Sequence, residues 1–359
     1  MSTAVPSPEQ ILAARAVRHH LTPSSRGSSD SDYLEIVGQL GPLRPPSFEF
    51  PGTPVVLFDR HEDAAGSSAQ EVGERIRRQR LVFKGRFQGG KVAYVRTSDV
   101  PIYLAAFRRE RPLTGPERVV LEVLESEGPL HKSDLAEVSG VRGRELSAAL
   151  QRLQEAFLVF EQQLETEWDN AWFSLEREQP EWLVAAPEQD LARLEVLRRF
   201  SRAHVATSAQ EAKDWSGFPL RQVRELLTEL TESGELTRVA IDGWGERFMA
   251  SDWEPVEPEA SLAILDPGDP LVTAQASVLK RKFDGLPALK YVYVDGDVAG
   301  IATGRWGIGP FDVDDVVFIE ETSSERSRDD IIAKLRRHFP SPRHRIVSFG
   351  GIPLDGRLV

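Results

Sequence analysis

The chain has 359 residues, no cysteine and a formal net charge of −12, with 40% hydrophobic and 28% charged residues. That length has room for two to three domains with full cores, and the composition is that of a soluble globular protein. Without cysteine there are no disulfides, thiolate zinc sites, iron–sulfur clusters or cysteine nucleophiles, which fits a cytoplasmic protein. No apolar run is long enough for a membrane helix, and the opening MSTAVPSPEQ lacks the basic-then-apolar order of a signal peptide. The seven histidines show no HExxH or HxH spacing, so no metal site is expected. Charge is unevenly spread. Residues 1–112 hold 16 Lys and Arg against 12 Asp and Glu, and the remainder holds 28 against 44. A basic front on an acidic body allows a polyanion site on one face; a merely solvated surface has the same pattern.

In chain order, Glu9–Leu21 reads as a helix with Ile11, Leu12, Ala14, Val17 and Leu21 clustered. Thr22–Ser31 is a polar linker. Asp32–Leu40 is a second helix, capped near Ser31 or Asp32. The prolines of Pro42–Pro54 predict an extended loop, followed by a short apolar segment, Pro54–Phe58. Ala69–Arg78 is a basic helix. Arg80–Phe87 and Lys91–Thr97 then alternate like strands about Gln88-Gly89-Gly90, a hairpin signal. No acidic residue lies between Arg75 and Arg96, and Phe83, Phe87 and Tyr94 interleave with the cations. Such a hairpin suits a wing laid against phosphates; the alternative is a plain hairpin whose cations solvate one face. Asp99–Arg108 is another helix.

Residues 113–180 contain helices at Glu117–Glu127, Lys132–Ser139 and Arg144–Ala156, the last two separated by Gly140 and Gly143. That spacing is a helix-turn-helix. Phe157–Gln162 and Ala171–Leu175 are its wing strands. Thr207–Thr237 repeats the pattern with a shift of 77 positions, setting Ser139-Gly140 on Ser216-Gly217, Leu146 on Val223, Leu150 on Leu227 and Leu153 on Leu230. The repeat unit begins at Pro187–Val205 and has strands at Leu236–Ile241 and Glu246–Ala250. Its third helix carries Arg221 and Arg224 but also Glu225, Glu229 and Glu232, a poor balance for DNA. Glu254–Glu259 is an acidic linker. Beyond it, strands are expected at Leu262–Leu265, Leu289–Val294, Val298–Gly304, Val316–Glu320 and Arg343–Phe349, and a helix at Arg328–Phe339. The expected fold class is α+β: tandem winged-helix units, each a helix-turn-helix plus β-hairpin, with a C-terminal β-rich α+β subdomain. The expected units are 1–112, 113–180, 187–253 and 260–359.

Four stretches, taken in order, resemble the AlkZ/YcaQ family of winged-helix DNA glycosylases. They are LAARAVRHHL (Leu12–Leu21), RLVFKGRFQGGKVAYVRTSDVPIYLAAF (Arg80–Phe107), ATSAQEAKDWSG (Ala206–Gly217), and LAILDPGDPLV with YVYVDGDVAG further on. The resemblance implies excision of alkylated bases and unhooking of interstrand crosslinks, with double-stranded DNA as partner and no cofactor or metal. The family's chemistry rests on a Gln-x-Gln or Gln-x-Asp pair after the second helix. Here the matching residues are Gln39-Leu40-Gly41, so Gln39 is the catalytic candidate and Gly41 replaces the second group. Losing one positioned group of this kind costs about 10²–10³ in rate; Glu35 and Glu49 are nearby carboxylates. His20, Arg78, Arg80, Lys84, Arg86, Lys91, Arg142 and Arg144 form the expected DNA-contacting set. The alternatives are a winged-helix DNA binder without hydrolysis, and a transcriptional regulator or protein adaptor. No Gly-rich loop ends in Lys-Ser/Thr, and the acidic clusters Asp266–Asp269 and Asp312–Asp315 match no calcium loop.

Overall fold

The computed structural model describes residues 6–45, 57–62, 68–163, 170–307, 309–319, 328–339 and 344–354. Most of the proline-rich stretch and the start of the apolar segment at Pro54 lie outside the described residues.

Three capped helices and a hairpin open the chain: α1 (Pro8–Arg18), α2 (Asp30–Leu40), α3 (Ala69–Arg78), β1 (Val82–Phe87) and β2 (Lys91–Arg96). Each helix starts in a reciprocal cap, Ser7 with Gln10, Ser29 with Asp32 and Ser68 with Glu71. The cap of α2 is therefore Ser29 rather than Ser31 or Asp32. Asp32 sits in the first turn, and its carboxylate accepts the Ser29 N–H at 3.0 Å. The hairpin pairs Gly85 with Ala93 and turns through Gln88, Gly89 and Gly90, all at positive φ. Helix α4 (Val100–Phe107) follows.

The next unit runs α5 (Gly115–Glu127), β3 (Leu130–His131), α6 (Lys132–Ser139), α7 (Gly143–Glu155), β4 (Val159–Gln163) and β5 (Asn170–Ser174), with sheet order β3-β5-β4. Two short proline-rimmed helices, α8 (Leu175–Glu178) and α9 (Pro180–Ala185), lead on. The same order returns in α10 (Gln189–His204), β6 (Ala206–Thr207), α11 (Ala209–Ser216), α12 (Leu220–Glu232), β7 (Leu236–Ile241) and β8 (Gly245–Ala250), with sheet order β6-β8-β7. Both units run helix, strand, helix, helix, hairpin, a helix-turn-helix followed by a β-hairpin.

The repeat extends to single hydrogen bonds. Ser139 Oγ donates to Leu135 O and accepts the Val141 N–H at 3.2 Å. Ser216 Oγ donates to Ala212 O and accepts the Phe218 N–H at 3.1 Å. Gly140 and Gly217 then leave the helix at φ 69° and 75°, a left-handed turn that glycine adopts without penalty. The matched pairs Leu146/Val223, Leu150/Leu227 and Leu153/Leu230 are all buried.

The C-terminal part comprises β9 (Leu262–Leu265), α13 (Pro270–Ala274), α14 (Ala276–Lys282), β10 (Ala288–Val294), β11 (Asp297–Gly307), β12 (Gly309–Phe318), α15 (Arg328–His338), β13 (Ser348–Phe349) and β14 (Ile352–Pro353). Strands β12-β11-β10-β9 make one antiparallel sheet. Two expectations are corrected here. The strand expected at Val316–Glu320 begins earlier, at Gly309, and runs to Phe318 as the partner of β11, which continues past Gly304; Glu320 lies outside the described residues. Of the strand expected at Arg343–Phe349, Arg343 lies outside the described residues; among residues 344–349 the strand is Ser348–Phe349, paired with Ile352–Pro353, and Ile346 makes an isolated bridge to Val313.

Cores cross between these parts. Ile11 and Ala14 of α1 pack with Val205, Ile241 and Met249. Ala16 and Leu21 pack with Leu265, Tyr293 and Ile301 of the C-terminal sheet. Phe83, Phe87 and Val95 join Phe160, Phe200 and Leu227 in one cluster. Residues 57–62 are latched by charge: Asp59 accepts from Lys334 Nζ at 2.6 Å and from the Ile264 N–H at 3.1 Å, and Arg60 meets Asp269 at 2.6 Å. Among the described residues no helix is long and apolar enough to cross a membrane.

One buried acid braces the first repeat unit. Glu117 is fully buried, and burial alone would raise its pKa. Bonds from Arg111 at 2.9 Å, Arg152 at 2.5 Å and the Thr114 N–H at 3.0 Å prevail and hold it near 2. Because the folded-state pKa is depressed, this stabilisation is complete above the ordinary value of 4.5 and vanishes as pH falls toward 2. We expect Glu117→Gln to cost about 3 kcal/mol at pH 7. Urea unfolding should show the gap between wild type and variant closing as pH falls through that window.

Candidate active-site cleft

Gln39 lies in the last turn of α2 and is exposed. Its side chain is held at both ends. Nε2 donates to Glu35 Oε1, one turn earlier, at 2.9 Å, and Oε1 faces His20 Nε2 at 2.9 Å. The other His20 nitrogen faces Ser25 O at 2.7 Å. Which of the two imidazole nitrogens donates follows the ring's tautomer.

The chain delivers His20 by an unusual route. Helix α1 ends with Leu21 N–H bonding Ala16 O and His20 N–H bonding Val17 O, both at 2.9 Å. This is the Schellman pattern, whose left-handed position is normally glycine. Here it is His20, at φ 55°. A side chain in that region costs of order 1–2 kcal/mol, offset here by the two imidazole contacts.

Gly41 caps α2. A Cβ there would stand 2.7 Å from Val37 O, so no side chain fits without moving the last helical turn. The Gly41 carbonyl is fixed by the Tyr103 hydroxyl at 2.9 Å. Position 41 thus supplies backbone only, and the carboxylate beside Gln39 is Glu35.

Around Gln39 opens a cleft of about 470 Å³ bearing Arg18, Arg96, Arg199 and Arg202 together with Glu35, Glu195 and Asp252. Arg96 lies across α2 at Gly38, where a Cβ would come within 3.0 Å of its Cζ. Beneath the cleft, the buried Asp99 binds Arg96 Nε at 3.1 Å and Arg199 Nη1 at 3.2 Å. Arg18 donates to Arg202 O at 2.7 Å and Asp252 O at 2.8 Å. Arg202 is the loosest of the four, half exposed, with carboxylates at 3.5 and 4.0 Å. Neither Arg199 nor Arg202 was among the expected contacts, although both stand in the basic run LRRFSRAH of α10. Its apolar core face masked that signal.

The expected DNA-contacting set does not converge. His20 joins Gln39. Lys84 pairs with Glu161 at 2.7 Å, and Arg86 donates to Gln154 at 2.9 Å and to Gly90 O at 3.0 Å. The hairpin is therefore docked on α7 and β4 and is not a free wing. Phe83 and Phe87, alternating with Lys84 and Arg86, bury against Phe160 and Phe157 and draw the cations in with them. Arg78, Arg80 and Lys91 are exposed. Arg142 and Arg144 are exposed at the start of α7, about 15 Å along the helix from Gln154. Among the described residues no cluster of His, Asp and Glu is placed to hold a metal ion.

The fold thus joins a repeated helix-turn-helix with hairpins, an α+β sheet domain and a polar cleft around Gln39. The family model described as DNA glycosylase AlkZ-like matches residues 164–317. The DNA glycosylase AlkZ of Streptomyces sahachiroi superposes with a TM-score of 0.67 over 93% of this chain and 96% of that one, at 16% identity. The AlkZ resemblance read from the residues is borne out in that segment and in the fold, which is α+β. Gln39 lies outside the matched segment. No curated protein matches the chain in sequence.

The docked hairpin predicts a structural role for Lys84. Lys84→Glu should cost about 1 kcal/mol in thermal unfolding, since the pair is only part-buried. Adding Glu161→Lys should restore most of it. A single variant as stable as wild type would show that the contact carries no weight.

Proposed function

We propose that the chain binds double-stranded DNA and hydrolyses the N-glycosidic bond of alkylated bases, crosslinked ones included, at the cleft around Gln39. The observation that supports this best is the Gln39 amide, oriented from both ends at the mouth of an arginine-bearing cleft, in a chain with the AlkZ fold. Cleavage of the bond leaves positive charge on the sugar. Glu35, hydrogen-bonded to Gln39, stabilises that charge and takes the proton of the water that Gln39 orients. As the bond from water oxygen to C1′ forms, the bond from C1′ to nitrogen breaks and its electron pair leaves with the base. An N7-alkylated purine already carries positive charge, so it departs neutral without an added acid. Arg142 and Arg144, at the start of the third helix of their unit, stand where a recognition helix meets a duplex. We also infer a cytoplasmic setting, where such DNA is found.

One observation favours binding without hydrolysis: the Val37 carbonyl closes position 41 to any side chain. Incubation with duplex containing N7-methylguanine, followed by assay of abasic sites, separates the two. The hydrolytic reading predicts base release, reduced about 10²–10³-fold in Gln39→Ala and in Glu35→Gln with melting unchanged, as both residues are exposed. Salt-sensitive duplex binding with no release by wild type establishes the non-hydrolytic reading instead.

A further inference from the structure

A second cavity shares no lining residue with the Gln39 cleft. It lies between the docked hairpin and the unit of β4, with a volume of about 210 Å³. Its walls are Phe83, Tyr94, Phe160 and Trp182, and its rim carries Arg80, Gln162 and Gln179. We propose that it takes a single unpaired nucleobase, stacked against Trp182, with the attached phosphate held by Arg80.

Four observations carry this. Phe83, Phe160 and Trp182 contact one another at ring-centroid distances of 5.2 to 6.5 Å, and Trp182 remains only half-buried, leaving ring surface for a further aromatic group. The volume is below the roughly 300–1,000 Å³ of pockets that enclose drug-sized ligands. It therefore suits one ring system with its sugar and phosphate left outside. The charges on the wall cancel within the protein: Lys84 pairs with Glu161, and Arg77 is bound bidentately by Glu74. Arg80 alone on that rim is exposed and, among the described residues, makes no ion pair.

Finally, Arg80 is held there at a cost. It closes α3 in the same Schellman pattern as His20 closes α1, with Leu81 N–H bonding Ile76 O and Arg80 N–H bonding Arg77 O, at φ 57°. Its own carbonyl is fixed by the Thr97 hydroxyl at 2.7 Å. A left-handed non-glycine residue, fixed from two sides, presents its guanidinium at the pocket mouth. The amides of Gln162 and Gln179 add donors and acceptors suited to a base edge. An apolar peptide side chain would use the rings but would leave Arg80 without purpose.

The test uses the full chain and dAMP, with binding followed by saturation-transfer NMR. We expect the purine protons to be saturated and dAMP to bind more tightly than deoxyadenosine. Trp182→Ala should weaken dAMP about tenfold, while Trp182→Phe retains most of the affinity. Arg80→Ala should erase the preference for dAMP over the nucleoside, and its exposed side chain keeps that variant folded. Unchanged dAMP affinity in both Trp182→Ala and Arg80→Ala overturns the proposal. So does loss of binding in Gln39→Ala, which would put the ring in the other cleft. Binding of indole as tight as that of dAMP, indifferent to Arg80, would make the pocket a peptide side-chain site.

Discussion

Asp99 is the point at which the molecule's parts are tied together. Its buried carboxylate binds Arg96 at the end of β2 and Arg199 in the middle of α10. Removing one partner of such a pair leaves an uncompensated buried charge, typically a loss of about 3–5 kcal/mol. Helix α10 in turn packs on α1, α2, α4, α11 and α12. The bond from Asp99 thus fixes where the hairpin, the first helices and the second repeat unit meet. Gly38 adds to the junction, since a Cβ there would crowd the Arg96 guanidinium, which lies against α2 one position before Gln39. The cleft is a consequence of this junction, formed where elements distant in sequence are held by charge on a shared helix.

Strain is distributed in a pattern that agrees with this. His20, Arg80 and Phe157 all occupy the left-handed position that ends a helix, and none is glycine. Phe157 is buried in the central aromatic cluster and is repaid by packing. His20 and Arg80 are not buried, and what they gain is position: one at Gln39, the other at the mouth of the aromatic pocket. Strain that persists at exposed polar residues is more informative than strain in a core, because packing does not explain it. Gly41 shows the converse. There the backbone approaches so closely that a side chain is excluded, and the carboxylate in contact with Gln39 is Glu35, one turn earlier on the same helix.

Much of the architecture was legible because its signals are local. The 77-residue shift between Ser139-Gly140 and Ser216-Gly217 marks a turn whose hydrogen bonds repeat one for one. The hairpin at Gln88-Gly89-Gly90 follows from residues that accept positive φ. Short helices α8, α9, α13 and α14 were missed, since four to seven residues carry too little periodicity to stand out from turns. The site was half legible. Gln39 could be named as a candidate from its place at the end of the second helix. The fate of the hairpin cations could not, because Lys84 finds Glu161 across 77 positions and Arg86 finds Gln154 across 68. A run of cations in sequence does not reveal which of them a fold neutralises. Arg199 and Arg202 were hidden for the opposite reason, lying on a helix whose apolar face dominates its pattern.

Net charge also takes on a different meaning in the structure. The cleft arginines are paired with Glu195, Asp252 and Asp99, so an anion entering it would have to displace or bridge existing ion pairs. For the proposed function, that favours a duplex held at a few loosened contacts, Arg202 foremost, over broad electrostatic adhesion. The most direct measurement is photo-crosslinking to a duplex carrying a photoreactive nucleotide, with the attached peptides mapped. The account predicts adducts in residues 35–41 and 195–203, on the two walls of the cleft. Adducts confined to the start of α7 and the hairpin tip, with none in those two segments, would contradict it.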